Sequence, residues 1–172
     1  MPRRRIVIYG DPVLQKDAES ITSISSSIIA LAEDMQAAMY AGNGVGLAAP
    51  QVGASVRLIV LDPSAGRDPR QRLVVINPEI LEMEEEETAE EGCLSIPEFV
   101  TDVSRARLIR AIGMTMDGKS VEIEAEGLAA RAFQHELDHL NGRLLIDFLN
   151  PLQRDIFERK YQQMLSRKRN LL

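Results

Sequence analysis

The most informative segment of the chain is Gln134-His135-Glu136-Leu137-Asp138-His139. It contains an H-E-x-x-H motif, and on a helix two histidines that are four residues apart lie one turn above each other. Both imidazoles can therefore reach one metal ion. The motif predicts a helix from Leu128 to Leu140, closed by Gly142, with a metal site on one face.

The same helix is expected to be buried along two faces. At about 100° per residue, one stripe consists of Leu128, Ala132, His135 and His139, and the other of Phe133, Leu137 and Leu140. Glu136 falls between the stripes, and a buried carboxylate is costly without a partner. A water molecule held by a metal would supply that partner. The alternative is that both histidines are core residues and Glu136 pairs with an arginine.

A third ligand has to come from elsewhere, because catalytic zinc sites usually use three protein ligands. The chain has two histidines and one cysteine. The extended H-E-x-x-H-x-x-G-x-x-H pattern fails, since its last position is Leu145. The best remaining soft ligand is Cys93, which follows Gly92 and precedes Pro97, a residue expected to end the strand pairing. Otherwise a lone cysteine is a small buried hydrophobe.

Two further helices are predicted. Between Ser25 and Gly42 the apolar residues Ile28, Ala32, Met35 and Met39 repeat at helical spacing, which predicts an early amphipathic helix. Asn150 can cap a C-terminal helix that has Pro151 in its first turn. The apolar stripe of this last helix is expected to be Leu152, Ile156 and Met164.

The middle of the chain favours antiparallel sheet. Val56–Leu61 and Leu73–Ile76 are typical of buried strands, and Arg107–Met116 and Lys119–Ala125 flank a tight turn at Asp117-Gly118. The glutamates between residues 82 and 91 could suggest a cation site, but a solvated strand or loop face is the better interpretation. We expect one domain, residues 1–172.

Composition excludes several classes of protein. A net charge of −6 and a pI near 5.0 argue against general nucleic-acid binding. The basic start at Arg3-Arg4-Arg5 is followed only by Ile6–Tyr9 as an apolar run, too short for a secretory signal or a membrane span. One cysteine cannot form an internal disulfide. The expected location is the cytoplasm.

Three motifs resemble the signatures of bacterial-type peptide deformylases, in the same order along the chain. They are Gly44-Val45-Gly46-Leu47-Ala48-Ala49-Pro50-Gln51, Glu91-Gly92-Cys93-Leu94-Ser95 and the histidine motif at 134–139. The resemblance implies an α+β fold, with antiparallel β-sheets around the metal-binding helix. It also implies hydrolysis of the N-formyl group of the initiator methionine in newly synthesised polypeptides, with release of formate.

The resemblance further implies roles for individual residues. Cys93, His135 and His139 would hold one divalent metal ion, most often Fe²⁺, with Zn²⁺, Ni²⁺ or Co²⁺ as alternatives that the ligand set does not separate. Glu136 would be the acid and base, while Gln51 and the backbone N–H of Leu94 would face the developing oxyanion. The substrate would meet the backbone of Gly46, and its methionine side chain would lie against Val45, Leu128 and His135.

The basic end at Arg167-Lys168-Arg169 resembles the tail with which bacterial members approach the ribosome, although a solvated basic end explains it equally well. Two positions depart from the family pattern. Arg131 stands where an apolar pocket residue is common and is expected to pair with Asp138 or to narrow the pocket, and Val100 stands where arginine is frequent. The competing functions are an H-E-x-x-H metallopeptidase and an inactive metal-binding, ribosome-associated module.

Overall fold

The computed structural model describes residues 4–169, with side chains described to Ser166. This part of the chain contains three α-helices and five β-strands. The helices are α1 (Ser26–Ala41), α2 (Leu128–Leu140) and α3 (Pro151–Arg169). The strands are β1 (Gly46–Ala48), β2 (Leu58–Leu61), β3 (Leu73–Cys93), β4 (Ile96–Met114) and β5 (Ser120–Glu126). No helix among these residues is long and apolar enough to cross a membrane.

The five strands form one antiparallel sheet in which every strand pairs with the next along the chain. The expected α+β class is confirmed. Pro97 interrupts the β3–β4 pairing rather than ending it. Gly92 pairs with Val100 while Cys93 pairs with Ile96, so the three residues from Pro97 to Phe99 bulge out of the ladder.

β2 shows how the sheet is covered on both sides. Its four residues are all buried, and side chains alternate between the two faces of a strand. Leu58 and Val60 pack with α1, while Ile59 and Leu61 pack with α2. The buried strand predicted at Val56–Leu61 is confirmed from Leu58 onward, and it lies between two helices. This arrangement holds α2 across the sheet.

The early helix agrees with its prediction at both ends. Ser25 is the residue before the first turn, and Gly42 follows the last turn with its N–H bonded back to helix carbonyls. Ala32, Met35 and Met39 are buried as expected.

The apolar stripe predicted for α3 was wrong at Leu152 and Ile156, whereas Met164 packs against the core. The helix does begin at Pro151, with Asn150 Oδ1 accepting from the N–H of Gln153 at 2.9 Å. However, Leu152 is 69% exposed and Ile156 is 44% exposed, whereas Phe157 and Tyr161 are buried. These two rings pack edge-on against Tyr9, so an aromatic residue from the other end of the chain selects the buried face.

The acidic segment belongs to β3, which is much longer than Leu73–Ile76. Its glutamates from 82 to 87 are exposed, as the interpretation of a solvated strand face requires. Arg107 and Arg110 on β4 pair with them across the strands, for example Arg107 Nη1 with Glu85 Oε2 at 2.7 Å. Such exposed pairs add little stability, but the arginine charges offset part of the repulsion between neighbouring carboxylates.

Candidate active site

Three potential metal ligands converge between the sheet and α2. His135 and His139 lie one helical turn apart with ring centroids 5.0 Å apart, and Cys93 is the last residue of β3. Cys93 Sγ lies 3.3 Å from His139 Nε2. One ligand atom from each residue falls within 4.8 Å of the other two, so the three can reach a common ion.

The chemistry of the cluster fits a divalent metal. One sulfur and two imidazole nitrogens are a donor set that zinc, iron, nickel and cobalt accept. Burial and the neighbouring His135 lower the pKa of His139 well below its usual range, which keeps this imidazole in the neutral form that binds metals. Within residues 4–169, the buried Oε2 of Glu136 and Nδ1 of His139 have no hydrogen-bond partner. Buried polar atoms of this kind are normally satisfied, and for Glu136 a metal with its water would supply what is missing.

Glu91 orients His135 from behind. The carboxylate oxygen Oε2 lies 3.0 Å from His135 Nδ1. Burial alone would raise the pKa of Glu91, but hydrogen bonds from His135 and Arg105 outweigh it and bring the pKa to about 2. An ionised carboxylate only accepts, so Nδ1 carries the proton and Nε2 is free to bind a metal.

Glu91 is in turn held by two buried arginines. Arg105 forms a two-pronged ion pair with it at 2.8 and 3.0 Å, and Arg131 Nη1 adds a third bond at 2.8 Å. Arg105 also pairs with Asp138 at 2.6 Å. Glu91 and Arg105 were not predicted from the sequence, because Glu91 is hidden in an acidic run and the arginine is 14 residues away, opposite Glu87 in the β3–β4 ladder.

Arg131 does not pair with Asp138. Besides Glu91 it donates to the carbonyls of Val103 and Glu87, at 2.8 and 2.7 Å. It lines the pocket described below, but its charge is directed at the sheet. Val100, the other departure from the family pattern, is 55% exposed and lines the same pocket.

Glu136 is enclosed beside the ligands. It is 4% exposed, and burial raises its pKa to about 7. The residue opposite is Gly46 in β1, where an added Cβ would lie 2.5 Å from Glu136 Oε1. Only a residue without a side chain therefore leaves room for this carboxylate.

Gln51 presents its amide nitrogen to the same space. It lies in a short 3₁₀ helix, Ala49–Val52, that follows β1. Its Oε1 accepts from the N–H of Ala48 at 2.8 Å, which fixes the amide. The Nε2 group then faces Ser95 Oγ at 3.3 Å and Cys93 Sγ at 3.6 Å.

A cavity of about 620 Å³ opens onto these groups. Its lining includes every residue that the sequence proposed for the site except His139: Val45, Gly46, Gln51, Cys93, Leu94, Leu128, His135 and Glu136. The expectation that the whole first stripe of α2 is buried was wrong at Leu128, which is 52% exposed. It is the first residue of the helix, and its half-exposed side chain forms part of the pocket wall.

A family model described as polypeptide deformylase matches residues 3–155. The chain belongs to the polypeptide deformylase family. It is 49% identical over 154 residues to a peptide deformylase of Thermodesulfovibrio yellowstonii, covering 90% of this chain and 93% of that one. Among peptide deformylases of known structure, that of Thermotoga maritima is 48% identical, with a TM-score of 0.79 over 86% of this chain and 98% of that one. A plant peptide deformylase superposes with a TM-score of 0.89 at 30% identity, covering 99% and 93%.

Peptide deformylases are metal-dependent hydrolases that remove the N-formyl group from nascent polypeptides, and the chain has this activity. The metallopeptidase and the inactive module are thereby set aside. The family match ends at residue 155, so most of α3 lies beyond it.

Proposed function

We propose that Cys93, His135 and His139 hold one divalent metal ion with which the chain deformylates N-formylmethionyl polypeptides. The convergence of the three ligand atoms beside the buried Glu136 carries this proposal. Ferrous iron is the proposed ion, with zinc, nickel or cobalt as alternatives, because the donor set suits each. When bound, the cation lowers the pKa of water and polarises the formyl carbonyl.

Glu136 acts as the acid and base of the reaction. Its carboxylate accepts the proton of the attacking water and later delivers it to the departing methionyl nitrogen. The products are formate and a free amine. Enclosure by Gly46 and α2 holds the carboxylate in place during both transfers.

Gln51 and Leu94 stabilise the transition state. As the formyl carbon becomes tetrahedral, negative charge grows on its oxygen, and fixed N–H donors bind that charge better than the neutral carbonyl. The Gln51 amide is fixed by Ala48 before substrate arrives. The second donor is the backbone N–H of Leu94, in the turn between β3 and β4.

The substrate lies in the 620 Å³ cavity. Its backbone meets Gly46, and its methionine side chain packs against Val45 and Leu128. His135 lines this cavity. Its ring is oriented by Glu91, which is in turn held by Arg105 and Arg131.

Residues 1–172 act as one catalytic domain located in the cytoplasm. The C-terminal helix approaches the ribosome through Arg167-Lys168-Arg169, whose side chains lie outside the described part of the chain.

The test compares Glu136→Gln with Glu86→Gln, an exposed glutamate on β3 that serves as a matched control. Formate release from formyl-Met-Ala-Ser and metal content are measured on each protein. Glu136→Gln should keep its metal and lose turnover by at least about 10², because an amide cannot accept the proton. Glu86→Gln should retain both. Parallel loss of metal and activity in Glu136→Gln would refute the acid and base role.

A further inference from the structure

A second groove adjoins the catalytic cavity. It has a volume of about 460 Å³ and lies between α3 and residues 97–101 of β4. Val100 and Ile156 stand exposed on its two sides. Its floor is aromatic, with the rings of Phe99 and Phe157 4.6 Å apart, and Lys160 is on its rim. It is therefore an apolar surface with charged edges.

The two depressions share one wall. Residues 97–100 line both the catalytic cavity and the groove. These residues include the bulge that leaves the sheet between the pairs Gly92–Val100 and Cys93–Ile96. At its centre, Glu98 has a left-handed backbone with φ of 64°, a conformation that costs energy for a residue with a side chain. The bulge directly follows Ile96, the residue that pairs with Cys93, and it separates the two depressions.

We propose that the groove binds residues of the nascent polypeptide that follow the first three, with a preference for apolar side chains. This inference rests on the proposed function. A polypeptide whose formylated end occupies the catalytic cavity must leave it, and the exposed Val100 borders both spaces. The α3 wall from Ile156 to Met164 spans about 12 Å, the length of roughly four residues of extended peptide.

The α3 wall of the groove includes residues that the family model does not match. Ile156, Lys160 and Met164 all lie beyond residue 155, where the family match ends. Leu152, on the same helix, is more exposed than Ile156 but does not line the groove. The helix thus offers both a test position and its control.

The experiment uses three formylated peptides that begin formyl-Met-Ala-Ser. One ends there, one continues with Leu-Val-Leu-Val-Ser, and one continues with Ser-Gly-Ser-Gly-Ser. For the wild-type protein, kcat/KM should be about tenfold higher for the apolar eight-residue peptide than for the tripeptide, equivalent to ~1.4 kcal/mol. The polar eight-residue peptide should resemble the tripeptide.

Two variants locate the effect. Ile156→Asp should bring the ratio of kcat/KM for the apolar eight-residue peptide and the tripeptide to about one, whereas Leu152→Asp should preserve the wild-type ratio. Equal kcat/KM for all three peptides, or the same loss of ratio in both variants, would overturn the proposal. The proposal would also be overturned if Ile156→Asp changed the sedimentation coefficient of the protein but not the ratio of kcat/KM values. That result would identify the groove as a contact between two copies of the chain. Failure to release formate from the tripeptide would instead reject the proposed function.

Discussion

Replacing Gly46 by alanine tests how closely the base is fitted. Gly46 pairs with Leu61 in the sheet, and no left-handed backbone restricts the choice of residue there. An alanine Cβ would lie 2.5 Å from Oε1 of Glu136 and 3.0 Å from its Cδ and Cγ. Ordinary contacts begin near 3.4 Å, so the carboxylate must move by about 1 Å.

The size of the effect follows from this displacement. A misplacement of about 1 Å costs on the order of 10² in rate, which is ~2.7 kcal/mol of activation free energy. The methyl group contacts none of the three ligands among its nearest neighbours, so metal content should remain near that of the wild type. We therefore expect kcat for formyl-Met-Ala-Ser to fall about 100-fold, with a smaller change in KM.

A double variant separates the clash from other causes. Glu136→Asp shortens the side chain by one methylene and makes room for the new methyl group. Gly46→Ala should then cause little further loss in the Glu136→Asp background. A Gly46→Ala protein that keeps its metal and a kcat within threefold of the wild type would refute the reasoning. An equal loss in both backgrounds would do the same.

Three other perturbations address the oxyanion donor, the thiolate and a buried carboxylate. Gln51→Ala should lower kcat by on the order of 10² with a smaller change in KM, and steady-state kinetics that show only a KM effect would limit Gln51 to positioning substrate. Iron-loaded protein should inactivate in air faster than zinc-loaded protein, because zinc has no redox chemistry. Mass spectrometry should find added oxygen on Cys93 before the methionines, and intact Cys93 in inactivated protein would contradict this. Burial would raise the pKa of Asp62, but the hydroxyls of Ser64 and Tyr40 outweigh it and hold the pKa below its usual 3.8. The stability that Asp62 contributes is thus complete above its ordinary pKa of 3.8 and is lost as pH falls through the lowered pKa of the folded state. Urea unfolding should show that Asp62→Asn loses less stability in acid than the wild type. An unchanged pH dependence of stability in this variant would exclude Asp62 as the cause of the acid loss.

Local patterns predicted the helices well. The two histidines of α2, the ends of α1 at Ser25 and Gly42, and the start of α3 at Asn150 all rest on spacing or capping within a few residues of sequence. The sequence could also bring the candidate ligands His135 and His139 together, because both belong to one helical motif.

Features that depend on tertiary partners were missed. The face of α3 is chosen by Tyr9, which lies far away in sequence. The acidic part of β3 has no apolar alternation, and it is a strand because β4 pairs with it and supplies arginines. Glu91 looked like its exposed neighbours until Arg105 and Arg131 were brought against it from β4 and α2.

The order of strands in the sheet has a consequence for folding kinetics. Because each strand pairs with its neighbour in sequence, the sheet can grow hairpin by hairpin with short loop closures. Cys93 lies at the tip of the β3–β4 hairpin, whereas His135 and His139 belong to α2, which follows the sheet in the sequence and packs against it. We therefore expect the three candidate ligands to come together in a late folding step. We expect bound metal to slow unfolding while leaving the folding rate nearly unchanged, a difference that stopped-flow experiments with and without a chelator would measure.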